Sequence, residues 1–411
     1  MKKVALIVAV VMVAAVLFAG CSTAATDTTA SQSASAADTQ ASEEVSESAP
    51  AGDSAEAGSE DKLLIGFNNY LKGNYSVDIL ENTIKATCEA LGADFMAVND
   101  EAKVENSVTN VDNMIAAGVD GIVFLGVADT LFPVVAEKCE AAGVPFVITD
   151  HLPSDDVVAQ LEGYSQYIGG ACVKDINTGK TIGEYAGSLG LKKAIIVTAD
   201  KTDTTHAART QGFTEAFEAA GGEVIDVGYG TPTVAESMTR ANDLLTAHPD
   251  VDCVYATNGD VVSGTMEAMA KHTDVDAKLF GTDLDPDVLE GLQDGRVAAA
   301  NGAHWINGDF STALLINYLR GNDIKDADGT APMLIVPTMT LPSNMVDLYN
   351  TFWIEQQPFS DEEMQSFVGA DVTAESLQSI LDGYSIDSRL QAKVDAGLLT
   401  QEELDAAEAA E

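Results

Sequence analysis

Basic side chains are scarce in this chain. Its 411 residues carry 21 Lys and Arg against 65 Asp and Glu, a formal net charge of −44. Affinity for nucleic acid rests on Lys and Arg neutralising phosphates, so no nucleic-acid partner is expected. Peripheral binding to anionic lipid is disfavoured for the same reason, and the surface should be soluble and self-repelling. Cysteine is also sparse. Beyond Cys21 there are Cys88, Cys139, Cys172 and Cys253, with no C-x-x-C pair. The five histidines form neither H-x-x-H nor H-E-x-x-H, so no metal site is expected, and no cofactor. G-x-S-x-G, a P-loop and a G-x-G-x-x-G following a strand are all missing. No catalytic residue can be named, and the chain is not expected to be an enzyme, although α/β folds host many activities. The four later cysteines should be buried free thiols, with one or two disulfides left open by an oxidising compartment.

What is present begins with a targeting segment. Lys2 and Lys3 precede an apolar run over residues 4–18, followed by Ala19, Gly20 and Cys21. The run is short for a membrane-spanning helix and has the layout of a secretory signal. Ala-Gly-Cys resembles a bacterial lipobox, which implies cleavage before Cys21 and a diacylglycerol on its sulfur. Phe18 departs from the aliphatic residue usual there. Residues 21–60 form a Ser, Ala and acid-rich linker without an aromatic ring, expected to be disordered because it cannot bury enough apolar surface to offset its ordering entropy.

From residue 63 the pattern changes to alternating strands and helices. Apolar β-like runs fall at 63–67, 95–98, 121–125 and 145–149, with helical periodicity between them. The alternation restarts near Thr178, with strands expected at 193–198, 223–229, 251–257, 278–281 and 297–300. A helix at 306–319 and one strand at 333–340 containing Pro337 follow. The turn and strand at 116–124 match in plan those at 247–255. This predicts an α/β fold of two similar lobes with parallel sheets. Ligands bind such sheets beyond the carboxyl ends of their strands, where Asn68, Asn69, Asn74, Tyr75, Gly126, Asp129, Asp150 and His151 fall. A cleft between the lobes is the natural small-molecule site. Residues 361–411 read as an acidic helical tail, a surface appendage.

Six local patterns, in order, resemble the type I periplasmic binding proteins, specifically the ribose/galactose-like sugar receptors of ABC transporters. They are Asn74-Tyr75, the strand ending at Asp150, Asn177-Thr178-Gly179 opening a helix, Arg209-Thr210-Gln211-Gly212-Phe213, Asn258-Gly259-Asp260 at a strand end, and Gly281-Thr282-Asp283. The resemblance covers about residues 63–349. It implies two Rossmann-like lobes joined by three hinge crossings, near 164–175, 301–305 and 334–337. One lobe takes residues 61–174 with 305–334, the other 175–304 with 335–360. It also implies a sugar site in which Asp150 and Asp283 accept from hydroxyls, Arg209 donates, Asn74 and Asn258 do both, and Tyr75 and Trp305 offer ring faces. His151 stands where Arg is usual, and Gly126 where a ligand-binding Asn often sits.

The function so implied is capture of a sugar, a monosaccharide above all, for an ABC permease, by a monomer held extracytoplasmically on the cell membrane through lipid on Cys21. A nucleoside receptor, or a chemoreceptor or quorum-signal partner of the same fold, is the alternative. A repressor core is opposed by the signal and linker that occupy the place of its DNA-binding helices.

Overall fold

The computed structural model describes residues 62–409, so the signal, Cys21 and the linker lie outside the described residues. The first sheet contains β1 (Leu64–Asn69), β2 (Asp94–Asn99), β3 (Gly121–Leu125), β4 (Phe146–His151), β5 (Tyr167–Val173) and β11 (Met333–Val336). Their order is β11-β5-β4-β3-β1-β2, and every pairing is parallel. The second sheet contains β6 (Lys193–Thr198), β7 (Glu223–Tyr229), β8 (Cys253–Ala256), β9 (Lys278–Thr282), β10 (Ala299–Gly302) and β12 (Met339–Pro342). Its order is β12-β10-β9-β8-β6-β7, parallel except for the β10–β12 pair. Central strands are buried on both faces, as helix-covered parallel sheets require: all five residues of β3 are buried.

The helices of the first lobe are α1 (Tyr75–Ala90), α2 (Val104–Ala117), α3 (Leu131–Ala142) and α4 (Asp155–Leu161). Those of the second are α5 (Asp175–Ser188), α6 (Thr204–Ala219), α7 (Val234–Ala247), α8 (Gly259–Met269) and α9 (Pro286–Gln293). Local chemistry sets their ends. Asn74, Asp203, Thr233 and Asn258 each cap a helix by accepting from a backbone N–H in its first turn. Gly118 and Gly143 close α2 and α3 at positive φ, where a side chain would be strained.

The chain crosses between lobes at three places. β5 leads through Lys174 into α5, β10 leads through Ala303 into α10 (Asn307–Leu319), and β11 leads through Pro337 and Thr338 into β12. After its crossing, α10 packs on β3, β4 and β5 of the first sheet. Residues 333–340, expected as one strand, are therefore two strands in different sheets. The fixed φ and missing N–H of Pro337 fit the break between them. The expected crossing at 164–175 contains β5, which the sequence reading missed along with α4. Tyr167-Ile168-Gly169-Gly170 carries two glycines where a strand pattern needs side chains, and a Cβ on Gly169 would lie 2.2 Å from the Pro332 carbonyl oxygen.

The C-terminal segment also corrects the sequence reading. After β12 come α11 (Val346–Tyr349), a wide helical turn over Asn350–Glu355, α12 (Asp361–Ser366), α13 (Ala374–Asp382), α14 (Ile386–Asp395) and α15 (Gln401–Glu408). The last four of these short helices each open on a capping box, and most large apolar residues of the segment are spent inward. Phe359, Met364, Phe367, Leu377, Leu381, Tyr384 and Leu390 are buried in one apolar cluster with Ile65, Val147 and Val254 of the sheets. The sequence pattern predicts a surface appendage over residues 361–411. The segment is instead part of the core.

Candidate functional site

Between the lobes lies a cleft of about 790 Å³. From the first lobe it is lined by Tyr70 and Val77, by Val127, Ala128 and Asp129 beyond β3, and by Asp150, His151 and Ser154 at the end of β4. From the second lobe it is lined by Thr202, Asp203, Thr204 and Thr205, at the junction of β6 and α6. Carboxylates, hydroxyls and an imidazole thus face one space, with Tyr70 and aliphatic side chains beside them. Among the described residues no Lys or Arg lines this cleft.

Asp150 is held by two groups from beyond the second crossing. Asn307 Nδ2 donates to its Oδ1 at 2.9 Å, and His304 Nε2 lies 3.6 Å from the same oxygen. Its backbone is left-handed, with φ of 68°, and Asp283, at the equivalent end of β9, has φ of 75°. Asp tolerates this conformation better than most residues, but strain is retained. Both lobes hold an acid in the same unusual posture at a strand tip.

His151 lies in the cleft, and its ring is parallel to Phe132 with centroids 6.5 Å apart. Phe132 also explains Gly126. A Cβ on Gly126 would lie 2.4 Å from the Phe132 ring, so the aromatic fills the space that a side chain there would take.

Arg209, Asn258 and Asp283 gather in a second cluster. Arg209 Nε donates to Asp175 Oδ1 at 2.9 Å, its Nη1 donates to the Thr257 carbonyl at 3.0 Å, and Nη1 is 3.8 Å from Asp283 Oδ1. Burial opposes the guanidinium charge, but Asp175 and Asp283 outweigh it and hold the pKa above the ordinary value. Asp283 Oδ2 accepts from Gly259 N at 3.3 Å, beside Asn258, whose side chain caps α8 through Val261 N at 2.9 Å. His206 joins this cluster to the cleft wall: its Nδ1 lies 2.7 Å from Thr257 Oγ1, one residue after Thr205. Burial, then the charge of Arg209, lowers the His206 pKa and favours the neutral ring.

The remaining expected residues fall elsewhere. Asn74 is exposed, and its Oδ1 accepts from Val77 N at 3.2 Å. Tyr75 is half-buried, and burial with Asp285 nearby pushes its phenol up to about 12. Trp305 is 3% exposed and stands edge-on to Tyr349, with centroids 6.3 Å apart, so its ring is packed in the core and is not among the cleft-lining residues. Asn68 and Asn69 are fully buried. Asn68 exchanges two backbone bonds with Leu125 of β3, and Asn69 bonds Asp78 and Glu81 of α1.

The sequence reading missed Asp203 and the threonines around it, and it missed Asp285. An Asp placed between a strand and a helix was the available signal for Asp203, the same cap signature as Asn258. Asp285 carried the same signature, as the residue between β9 and α9 with Pro286 at the first helical position. Burial, with Asp283 beside it, pushes its carboxyl up to about 7. Its Oδ1 accepts from Ser76 Oγ of α1 at 3.4 Å, a hydrogen bond between the lobes.

Comparison with known proteins agrees with this architecture. A family model described as a periplasmic binding protein domain matches residues 65–323. The D-ribose/D-allose-binding protein of Pseudomonas aeruginosa is 27% identical over 206 residues, which is 49% of this chain and 63% of that protein. Among solved structures, the periplasmic binding component of the arabinose ABC transporter from Shewanella sp. ANA-3 superposes with a TM-score of 0.59 at 20% identity, covering 70% of this chain and 94% of that one. The periplasmic ribose ABC transporter structure from Conexibacter woesei gives 0.61 at 18% identity, covering 72% and 97%. At these identities the solved structures speak for the fold. Together with the family match over most of the chain and two parallel-sheet lobes joined by three crossings, they place this chain in the periplasmic binding protein family, with the type I fold.

Proposed function

We propose that the protein captures a sugar in the interlobe cleft and releases it to an ABC permease, with no chemistry of its own. The observation that carries this reading is the lining of the cleft. Asp129, Asp150, Asp203, Thr202, Ser154 and His151 offer acceptors and donors of the kinds that sugar hydroxyls need. The relatives whose names specify ribose, allose and arabinose support the same ligand class. Hinge closure about the three crossings would bring the Arg209 and Asp283 cluster toward a ligand held on Asp150. A nucleoside base would call for aromatic faces on both sides, and Tyr70 is the one Phe, Tyr or Trp lining the cleft among the described residues.

Anchoring through lipid on Cys21 belongs to the same proposal. It is supported by the signal and lipobox pattern and by an acidic linker long enough to act as a tether. Among the described residues no helix is long and apolar enough to cross a membrane.

A thermal-shift screen with pentoses, hexoses, polyols, short oligosaccharides and nucleosides tests the ligand class. A ligand that binds only the native state stabilises it by RT ln(1 + L/Kd), where L is its free concentration, so the melting temperature rises with the logarithm of ligand concentration above Kd. A rise with one or a few monosaccharides, matched by calorimetric binding, is the expected result. A rise with nucleosides alone would replace the sugar assignment.

A further inference from the structure

The family match ends at residue 323, and solved neighbours that are covered almost whole occupy about 70% of this chain. That is roughly the share that β1 to β12 makes up. The helices after β12 are therefore an addition to the shared fold, and they sit on its hinges.

Two side chains of the addition bind the crossings directly. Tyr384 Oη donates to the carbonyl of Ala303 at 2.9 Å and accepts from Trp353 Nε1 at 2.8 Å. Ala303 is the pivot of the second crossing, held at φ of 58°. The next residue, His304, faces Asp150 in the cleft. Gln378 uses both ends of its amide on Ile335: Nε2 donates to the carbonyl at 3.0 Å, and Oε1 accepts from the N–H at 2.9 Å. Ile335 lies on β11, the edge strand of the first sheet, two residues before Pro337 of the third crossing. Gln378 thus pairs with that edge as a neighbouring strand would.

The addition is also fastened to both lobes. On the first lobe, Asn317 Nδ2 donates to the Phe367 carbonyl at 2.9 Å, and Gln365 Nε2 donates to the Ala90 carbonyl at 3.1 Å. On the second, Gln293 of α9 donates to Asp347 at 2.8 Å, and α14 packs against β12. A rotation of one lobe against the other must move or break some of these bonds.

We propose that residues 343–409 are a brace across the hinge, and that Tyr384 and Gln378 are positioning residues that limit how far the lobes separate. Neither contacts the cleft. Tyr384 acts through the Ala303 turn, and so on His304 and Asp150. Gln378 acts through β11. The effect on ligand capture rests on the sugar-binding reading, whereas the mechanical effect can be measured without ligand.

The test uses the full chain with spin labels at Glu105→Cys on α2 and Asp243→Cys on α7, both exposed and on opposite lobes. Pulsed electron resonance then reads the interlobe distance distribution. Tyr384→Phe keeps the ring and loses both hydrogen bonds, and Gln378→Ala releases β11. Each variant, and the pair together, is expected to broaden the unliganded distribution toward longer distances. Gln391→Ala, an exposed bond within α14, should leave it unchanged. With a sugar identified by the thermal-shift screen, the pair should dissociate it about fivefold faster or more, the scale of losing ordinary hydrogen bonds. Distributions identical to the native chain in both single variants, with native melting temperatures, would overturn the brace. Failure of every sugar to bind would sink the sugar reading while the distance measurement still decides this one. If the pair does not fold, the single Tyr384→Phe variant carries the decision.

Discussion

Arg209 Nε and Asp175 Oδ1, 2.9 Å apart, tie the middle of α6 to the first residue of α5, where the chain has just entered the second lobe. Arg209 side-chain exposure is 11%, and Asp283 and the Thr257 carbonyl complete its surroundings. From sequence, Arg209 reads as a donor to ligand. The structure adds a structural duty. Removing one member of a buried pair leaves the other charged and uncompensated, at a cost of roughly 3–5 kcal/mol. Arg209→Ala is expected to lower stability on that scale, measured by urea unfolding at pH 7. Asp283→Ala, whose acid is the more distant partner, should lose much less stability while abolishing sugar binding. Equal destabilisation by the two variants would show that Asp283 is as structural as Arg209.

Much of this layout was legible because parallel α/β folds announce themselves by period. β3 is an unbroken apolar run, and α1, α2 and α3 end in glycines, so their limits were close to those observed. The strand tips were therefore placed correctly, and Asp150 and His151 with them. What the sequence hid were features fixed by partners far along the chain. β5 contains Gly169 and Gly170 because Pro332 and Ile148 crowd them, and this erased the strand signal. Trp305 reads from sequence as a ring available to a ligand, and only its packing against Tyr349, a contact between distant parts of the chain, shows that it belongs to the core. The addition spreads its large apolar side chains over short helices among many acids, and all but Leu398 of them are buried or half-buried, a placement that composition cannot reveal.

Asp309 on α10 is wholly buried and accepts from Thr87 Oγ1 at 2.6 Å. Burial pushes its carboxyl up to about 7, against the partial opposing effects of the Thr87 bond and Arg389. The folded state therefore keeps a proton that the unfolded chain has already released above about pH 4. Stability contributed by this group must fall as pH rises from about 4 to about 7, then level off. Asp309→Asn removes the titration, so its melting temperature should gain on the native chain across that window and run parallel to it above. Asp285 is shifted in the same direction, so the variant should remove only part of the native slope. A melting-temperature difference that is flat from pH 4 to 8 would show that Asp309 is ionised in the fold.

Cys88, Cys139, Cys172 and Cys253 are free and buried. Burial is the main cause of their raised pKa values, which for Cys88 and Cys139 reach about 12. Thiolate is the reactive form, so burial and pKa act together against modification. Iodoacetamide at pH 8, followed by peptide mapping, should leave all four unlabelled in the native protein. All four should be labelled after unfolding in guanidinium without reductant. A residue that stays unlabelled in guanidinium and appears only after reduction would be disulfide-bonded.

The contact between α5 and α6 depends on glycine at close approach. A Cβ on Gly179 would lie 1.9 Å from the Arg209 carbonyl oxygen, and one on Gly212 would lie 2.0 Å from the Ile176 carbonyl oxygen. Gly183 and Gly187 continue the stripe at four-residue spacing, against Phe213 and Ala220. The obstructing atoms at Gly179 and Gly212 are backbone, so neither site can yield by turning a side chain. Helix propensity alone would favour Ala over Gly by about 1 kcal/mol. Overpacking opposes it by typically 1–3 kcal/mol, and more where backbones must separate. Gly179→Ala is therefore expected to destabilise on balance, and Gly212→Ala likewise. Parting the helices would also shift Arg209 away from Asp175, so Gly179→Ala should weaken ligand binding although it lies outside the cleft. Urea unfolding with calorimetry on the same sample separates the outcomes. A Gly179→Ala protein more stable than the native chain would mean that the helices part at no cost, and that the glycine stripe is not what sets their distance.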